Sequence, residues 1–110
     1  MDLIIEKEME IQLDGASEYL LDIYTPLCFV PKELKVSWAK KDTIVMFTVC
    51  GNEKDDGILI GKGGATINSI RLLLHAYSKA NLSGIPCLIE VKDHRGSNYN
   101  PVLAGMKKSK

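Results

Sequence analysis

Residues 57–67, Gly-Ile-Leu-Ile-Gly-Lys-Gly-Gly-Ala-Thr-Ile, set a glycine-rich loop with one lysine between an aliphatic stretch and a long run of helical periodicity. The glycines at 61, 63 and 64 permit positive φ, which other residues reach only at a steric cost, and they let the backbone approach a bulky partner closely. Lys62 puts a cation at the loop tip. From Ala65 onward, the unpaired amide N–H groups of a helix N-terminus and the helix dipole favour an anion. All three features suit a phosphate.

Spacing narrows the kind of phosphate. A Walker A loop needs GxxxxGK[ST], but Gly57 and Gly61 are separated by three residues rather than four, and Gly63 stands where the magnesium-binding hydroxyl would follow Lys62. A dinucleotide fingerprint needs GxGxxG after a strand, whereas Gly61-x-Gly63-x-x ends at Thr66 and Asp55-Asp56-Gly57 reads as a helix start. What remains is helix, GxxG, helix. In KH domains this arrangement clamps the sugar-phosphate backbone of about four nucleotides.

On these residues the chain resembles the KH domains, in particular the bacterial type found in the Jag (SpoIIIJ-associated) protein and in small stand-alone KH proteins. The resemblance runs through Asp56-Gly57-Ile58-Leu59-Ile60-Gly61-Lys62-Gly63-Gly64, then Thr66-Ile67, Ile70-Arg71 and Leu73-Leu74, to Leu88-Ile89-Glu90-Val91. It implies an α+β, type II KH-like fold in the order α-β-β-α-α-β, with a three-stranded sheet covered on one face by three helices. It further implies a single-stranded RNA binder, with single-stranded DNA as a related ligand and a homodimer or a second KH protein as partner. The expected role is bacterial post-transcriptional regulation. The expected RNA-binding residues are Gly61, Lys62, Gly63 and Gly64 at the phosphates, with the amides of Lys62, Gly63 and Gly64 as donors. Ile60, Ile67 and Ile70 are expected as an aliphatic floor for bases, and Arg71 as a flanking cation. Leu88 and Glu90 are expected near a base edge. Jag proteins carry further domains, so this chain is expected to be closer to the stand-alone type.

The rest of the chain is read from its residues. A length of 110 residues suits one domain burying about 65% of its unfolded surface. No apolar run approaches the roughly 20 residues of a membrane span, and no basic stretch precedes an apolar one at the N-terminus, so a cytoplasmic protein is expected. Cys28, Cys50 and Cys87 are widely spaced in apolar contexts and read as reduced core thiols. No CxxC pair or histidine cluster accompanies them, so neither a metal nor another cofactor is expected. The formal net charge of zero hides an asymmetry: residues 1–33 hold eight acidic and two basic side chains, and the remainder carries the balancing positive charge.

Periodicity places the elements. Tyr19, Leu20, Ile23 and Tyr24 predict a helix over Ala16–Thr25, preceded by a break at Gly15 and stopped by Pro26. Leu34, Val36 and Trp38 alternate with Lys35 and Ser37 as an edge strand, and Ile44–Cys50 is a more buried strand. Asn52 resembles the N-cap of a short helix ending at Ile60, with Asp55 in its first turn. Ile67, Ile70, Leu73, Leu74 and Tyr77 stripe a helix over Ala65–Ala80, and Cys87, Ile89 and Val91 alternate in a closing strand after Pro86. In residues 3–13 the alternation of Met9, Ile11 and Leu13 with polar neighbours favours an added edge strand. The expected organisation is an acidic extension over 1–15, a KH domain over 16–96 and a flexible basic tail over 97–110.

Two other function classes compete. A KH fold can serve as a protein-interaction or assembly module, because folds host unrelated functions; the acidic N-terminal segment favours this. An enzyme is not expected, since no nucleophile–base pair or paired carboxylates stand out.

Overall fold

The computed structural model describes residues 2–94 and 98–99, with side chains over 7–94. The first helix, α1, spans Asp2–Tyr24, 23 residues. This corrects two expectations at once: residues 3–13 are helical rather than a strand, and Gly15 lies inside the helix rather than breaking the chain before it. The reason is a stripe the alternation disguised. Leu13, Ala16, Leu20 and Tyr24 are all fully buried at helical spacing with Met9 packed against them, while Ile11, which a strand would put on their side, is 70% exposed. Tyr19 stacks on Tyr77 with ring centroids 4.7 Å apart. Pro26 ends the helix as expected, within a 3-10 turn over Thr25–Leu27.

A second 3-10 turn, Pro31–Glu33, leads into β1 (Lys35–Lys41). β1 pairs antiparallel with β2 (Ile44–Cys50), with Trp38 opposite Phe47, across a turn in which Asp42 takes a φ of 57°. The crossover then carries a 3-10 turn (Glu53–Asp55), α2 (Asp56–Ile60) and α3 (Ala65–Asn81) before β3 (Cys87–Lys92). β3 runs parallel to β2, with Ile89 beside Phe47. A two-residue β4 (Asn98–Tyr99) pairs antiparallel with β3, Tyr99 beside Val91. The sheet is therefore four-stranded in the order β1-β2-β3-β4, not three-stranded, and β1 is an edge. β4 takes two residues from the expected tail; the remainder of that tail, residues 97 and 100–110, lies outside the described residues.

One sheet face builds the core. Val45, Phe47, Val49, Ile89 and Val91 are fully buried against Leu13, Leu20 and Tyr24 of α1, Leu59 of α2, and Ile67, Ile70 and Leu74 of α3. Such a contiguous apolar cluster is what holds a chain of this size. On the other face Thr48 donates its hydroxyl to Glu90 Oε2 at 2.9 Å across the parallel pair. Cys28, Cys50 and Cys87 are free and half-buried, at the margin of the core rather than within it.

Candidate nucleic-acid interface

The glycine loop is held by what surrounds α2. A five-residue helix cannot sustain itself, and three side chains brace this one. Asn52 accepts the Lys54 amide at 2.9 Å to cap the preceding turn. Asp55, 1% exposed, accepts the amides of Phe29 at 2.7 Å and Val30 at 3.0 Å, so it anchors the α1–β1 loop rather than serving only as a first-turn carboxylate. Tyr24 donates its hydroxyl to the Leu59 carbonyl at 2.9 Å.

Beyond Ile60 the backbone turns sharply. The Gly61 amide donates to the Gly57 carbonyl at 2.8 Å and the Gly64 amide to the Gly61 carbonyl at 3.0 Å. Gly61, Gly63 and Gly64 take φ of 82°, 64° and 82°, in the region that favours glycine. The first two differ in what surrounds them. A Cβ on Gly61 would fall on Thr66, 2.5 Å from its backbone nitrogen, whereas a Cβ on Gly63 would meet nothing within 4 Å. Gly61 is thus required by packing, while Gly63 sits at an open tip beside the exposed Lys62.

α3 starts immediately behind this tip. Its N-cap, Gly64, supplies no side-chain hydrogen bond, and its first turn holds no acidic residue, so the dipole meets no carboxylate from its own sequence. Of the three amides expected to meet phosphates, that of Gly64 is already committed to Gly61. The expectation narrows to Lys62 and Gly63.

The structure separates the expected aliphatic floor. Ile60 is half-buried and lines a cleft, but Ile67 is fully buried and Ile70 is 3% exposed. These two belong to the core, which corrects their reading as base contacts. Arg71 is half-buried on α3. Leu73, expected within the apolar stripe, is 44% exposed beside Leu72 at 60%, and the buried stripe instead runs through Ile67, Ile70, Leu74 and Ser78. Leu88 and Glu90 pair with Met46 and Thr48 on the sheet face away from the core, and Glu90 accepts the Thr48 hydroxyl.

The cleft beside the loop has a volume of about 310 Å³ and is lined by Glu53, Asp56, Gly57, Ile60, Gly61, Asp93 and His94. One wall is α2 with the start of the loop, and the other is the chain leaving β3. Asp56 and His94 close it: the His94 amide donates to Asp56 Oδ2 at 2.9 Å, and His94 Nδ1 lies 3.1 Å from both carboxylate oxygens. Sequence reading missed this pair, because nothing in the sequence signals a contact across 38 residues between a helix start and a strand end. It also overstated the positive charge around the loop. Residues 34–94 hold eight basic and six acidic side chains, so most of the surplus comes from Arg95, Lys107, Lys108 and Lys110.

Among the described residues no group of three His, Cys, Asp or Glu side chains is placed to hold a metal, and no helix is long and apolar enough to cross a membrane. Among known protein families, the KH domain of the KhpA/KhpB type matches residues 17–84, from within α1 to the turn after α3. No curated protein and no solved structure shows a significant match.

Proposed function

Because the chain belongs to the KhpA/KhpB KH-domain family, we propose that it binds single-stranded RNA, with the loop Gly61–Gly64 clamping the phosphate backbone. The observation that carries this reading is the loop itself. An open glycine at a φ of 64° lies beside an exposed lysine, directly before a 17-residue helix whose first turn holds no acidic residue. A phosphate there would meet the amides of Lys62 and Gly63, the α3 dipole and the Lys62 ammonium. Bases would lie over Ile60 and Gly57 in the adjoining cleft, and Arg71 would sit along the flank of the strand. Single-stranded DNA presents the same phosphates and binds in the same manner. A module that covers about four nucleotides neutralises few phosphates, so a second KH protein raises avidity through effective concentration. In the cell this activity serves post-transcriptional control.

Amide chemical-shift mapping with a short single-stranded RNA tests the reading. The expected result is that shifts concentrate at residues 57–66 and 93–94. Shifts confined to α1 or β1 would contradict it.

A second reading, a KH fold used for protein interaction, is favoured by Leu72 and Leu73, which stand side by side and exposed on α3. If they contact a partner, replacing both by serine lowers self-association in sedimentation while RNA binding to the isolated chain persists.

A further inference from the structure

The outer edge of β1 and the groove beside it have no part in RNA binding at the loop. β1 ends the sheet, two strands away from β3 and the cleft at its end, and among the described residues no strand pairs with its far side. An edge strand directs backbone N–H and C=O groups outward, where another chain can pair with them. Between α1 and β1 runs a groove of about 230 Å³, lined by Met9, Glu10, Leu13, Trp38 and Lys40. Its lining takes no residue from β2 or β3, so it flanks β1 on the outer side. We infer that an extended peptide segment of a partner protein docks here as an added strand, with an apolar residue opposite Trp38 and an acidic residue three positions to either side of it.

The groove is built to take a side chain. Trp38 Nε1 donates to Asp14 Oδ1 at 2.8 Å, which fixes the indole as one wall. Met9 and Leu13, one turn apart on α1, form the other, and Lys40 reaches across with its Nζ 3.6 Å from the Met9 sulfur. Side chains alternate along a strand. Val36 and Trp38 accordingly are half-buried on the α1 side, while Lys35, Ser37, Ala39 and Lys41 are exposed on the open sheet face. A peptide residue opposite Trp38 therefore enters the groove, and those opposite Lys35 and Lys41 stand on the other face. There they meet two ammonium groups that form no ion pair with a carboxylate among the described residues. In β-strand addition, main-chain bonding at a sheet edge supplies affinity and pockets for alternate side chains supply specificity.

Charge identifies the occupant. β1 holds three lysines and no acidic residue. A second copy of this edge is disfavoured, because an antiparallel self-pair centred on Trp38 puts each Lys35 opposite a Lys41, and like charges directly opposite are destabilising. A nucleic acid suits the lysines but not the rest of the site. It has no peptide N–H to complete the ladder, and Glu10 and Asp14 on the groove side repel its phosphates. An acidic peptide avoids that repulsion, because strand parity keeps its carboxylates on the lysine face and its apolar residue toward α1.

The test is amide chemical-shift titration of the full chain with the synthetic peptide Asp-Val-Thr-Leu-Thr-Val-Asp and its charge-reversed form Lys-Val-Thr-Leu-Thr-Val-Lys. Wild type is compared with the double variant Lys35→Glu, Lys41→Glu, in which both replaced side chains are exposed and circular dichroism checks the fold. Wild type is expected to bind the acidic peptide about tenfold more tightly than the basic one, since two opposite-charge cross-strand pairs replace two like-charge pairs. Shifts should concentrate at residues 9–14 and 35–41. The variant should reverse the preference, which general damage to the edge would not do. An acidic peptide that shifts no amide at millimolar concentration, shifts that fall elsewhere on the protein, or a preference unchanged in the folded variant overturns the inference. Displacement of the peptide from residues 35–41 by a short single-stranded RNA overturns it as well. RNA binding at the loop stands or falls separately, by its shifts at residues 57–66.

Discussion

The Tyr24 hydroxyl donates to the Leu59 carbonyl at 2.9 Å, so the last turn of α1 holds the last turn of α2, just before the glycine loop begins. Leu59 is near a helix C-terminus, where carbonyls lack intrahelical donors, and Tyr24 is fully buried. Tyr24→Phe keeps the packing and removes the bond. It should cost about 1–2 kcal/mol, including the desolvation of the orphaned carbonyl, measured by urea unfolding.

The same residue gives a pH dependence. Burial pushes the Tyr24 hydroxyl above its ordinary value of 10.0, with Cys28 adding to the effect. Burial likewise raises the thiols of Cys28, where the Asp55 charge contributes, and of Cys87 above 9.0. A folded-state pKa above the unfolded value leaves stability intact below the unfolded value. Above it, the unfolded chain releases protons that the folded chain keeps, and stability falls. The urea midpoint should be flat from about pH 7 to 8 and decline beyond about pH 9, and Tyr24→Phe should flatten the portion above about pH 10.

Asp55 presents the opposite chemistry. Replacing it by alanine leaves the Phe29 and Val30 amides without the acceptor they meet at 2.7 and 3.0 Å. A loss of about 2–5 kcal/mol is expected for two orphaned donors, and a smaller loss for Asp55→Asn, which retains one acceptor oxygen. Equal unfolding midpoints for wild type and Asp55→Ala would contradict this anchoring role.

The loop glycines should separate by stability. Gly61→Ala combines a φ of 82° with a collision on Thr66, so a loss beyond about 2 kcal/mol is expected. Gly63→Ala carries only the cost of positive φ, about 1 kcal/mol, since its surroundings are open. Thermal denaturation of the two variants checks the order.

Gly15 yields a prediction of the other sign. It lies within α1, and a methyl there would sit 3.5 Å from the Tyr77 hydroxyl, an ordinary contact. Gly15→Ala should therefore stabilise the protein by about 0.5–1 kcal/mol through helix propensity, read as a raised melting temperature.

What the sequence revealed follows from the range of the forces involved. Local signals were legible. The apolar run Ile44–Cys50, the alternation of Cys87, Ile89 and Val91, the positive-φ glycines and the stop at Pro26 all act within a few residues, and β1–β3 and α3 emerge where these signals put them. Tertiary packing overrode local signals at Gly15, where the contacts of Leu13 and Leu20 with the core hold a continuous helix through a poor helix former. The candidate site divides in the same way. Gly61, Gly63 and Lys62 were visible as a motif, but Ile67 and Ile70 could not be assigned to core or groove without knowing which face of α3 meets the sheet. The Asp56–His94 contact depends on where β3 ends relative to α2, which no local pattern encodes.

Whether the loop Gly61–Gly64 is the RNA clamp is decided by fluorescence anisotropy of a labelled short single-stranded RNA pool against wild type and the double variant Lys62→Asp, Gly63→Asp. Lys62 is exposed and Gly63 has open space, and aspartate is among the residues that tolerate the left-handed region, so the variant is expected to fold, as circular dichroism would confirm. A clamp at the loop gives wild-type binding that weakens as salt rises and is lost in the folded variant. Equal binding by both proteins, or none by either, would contradict it.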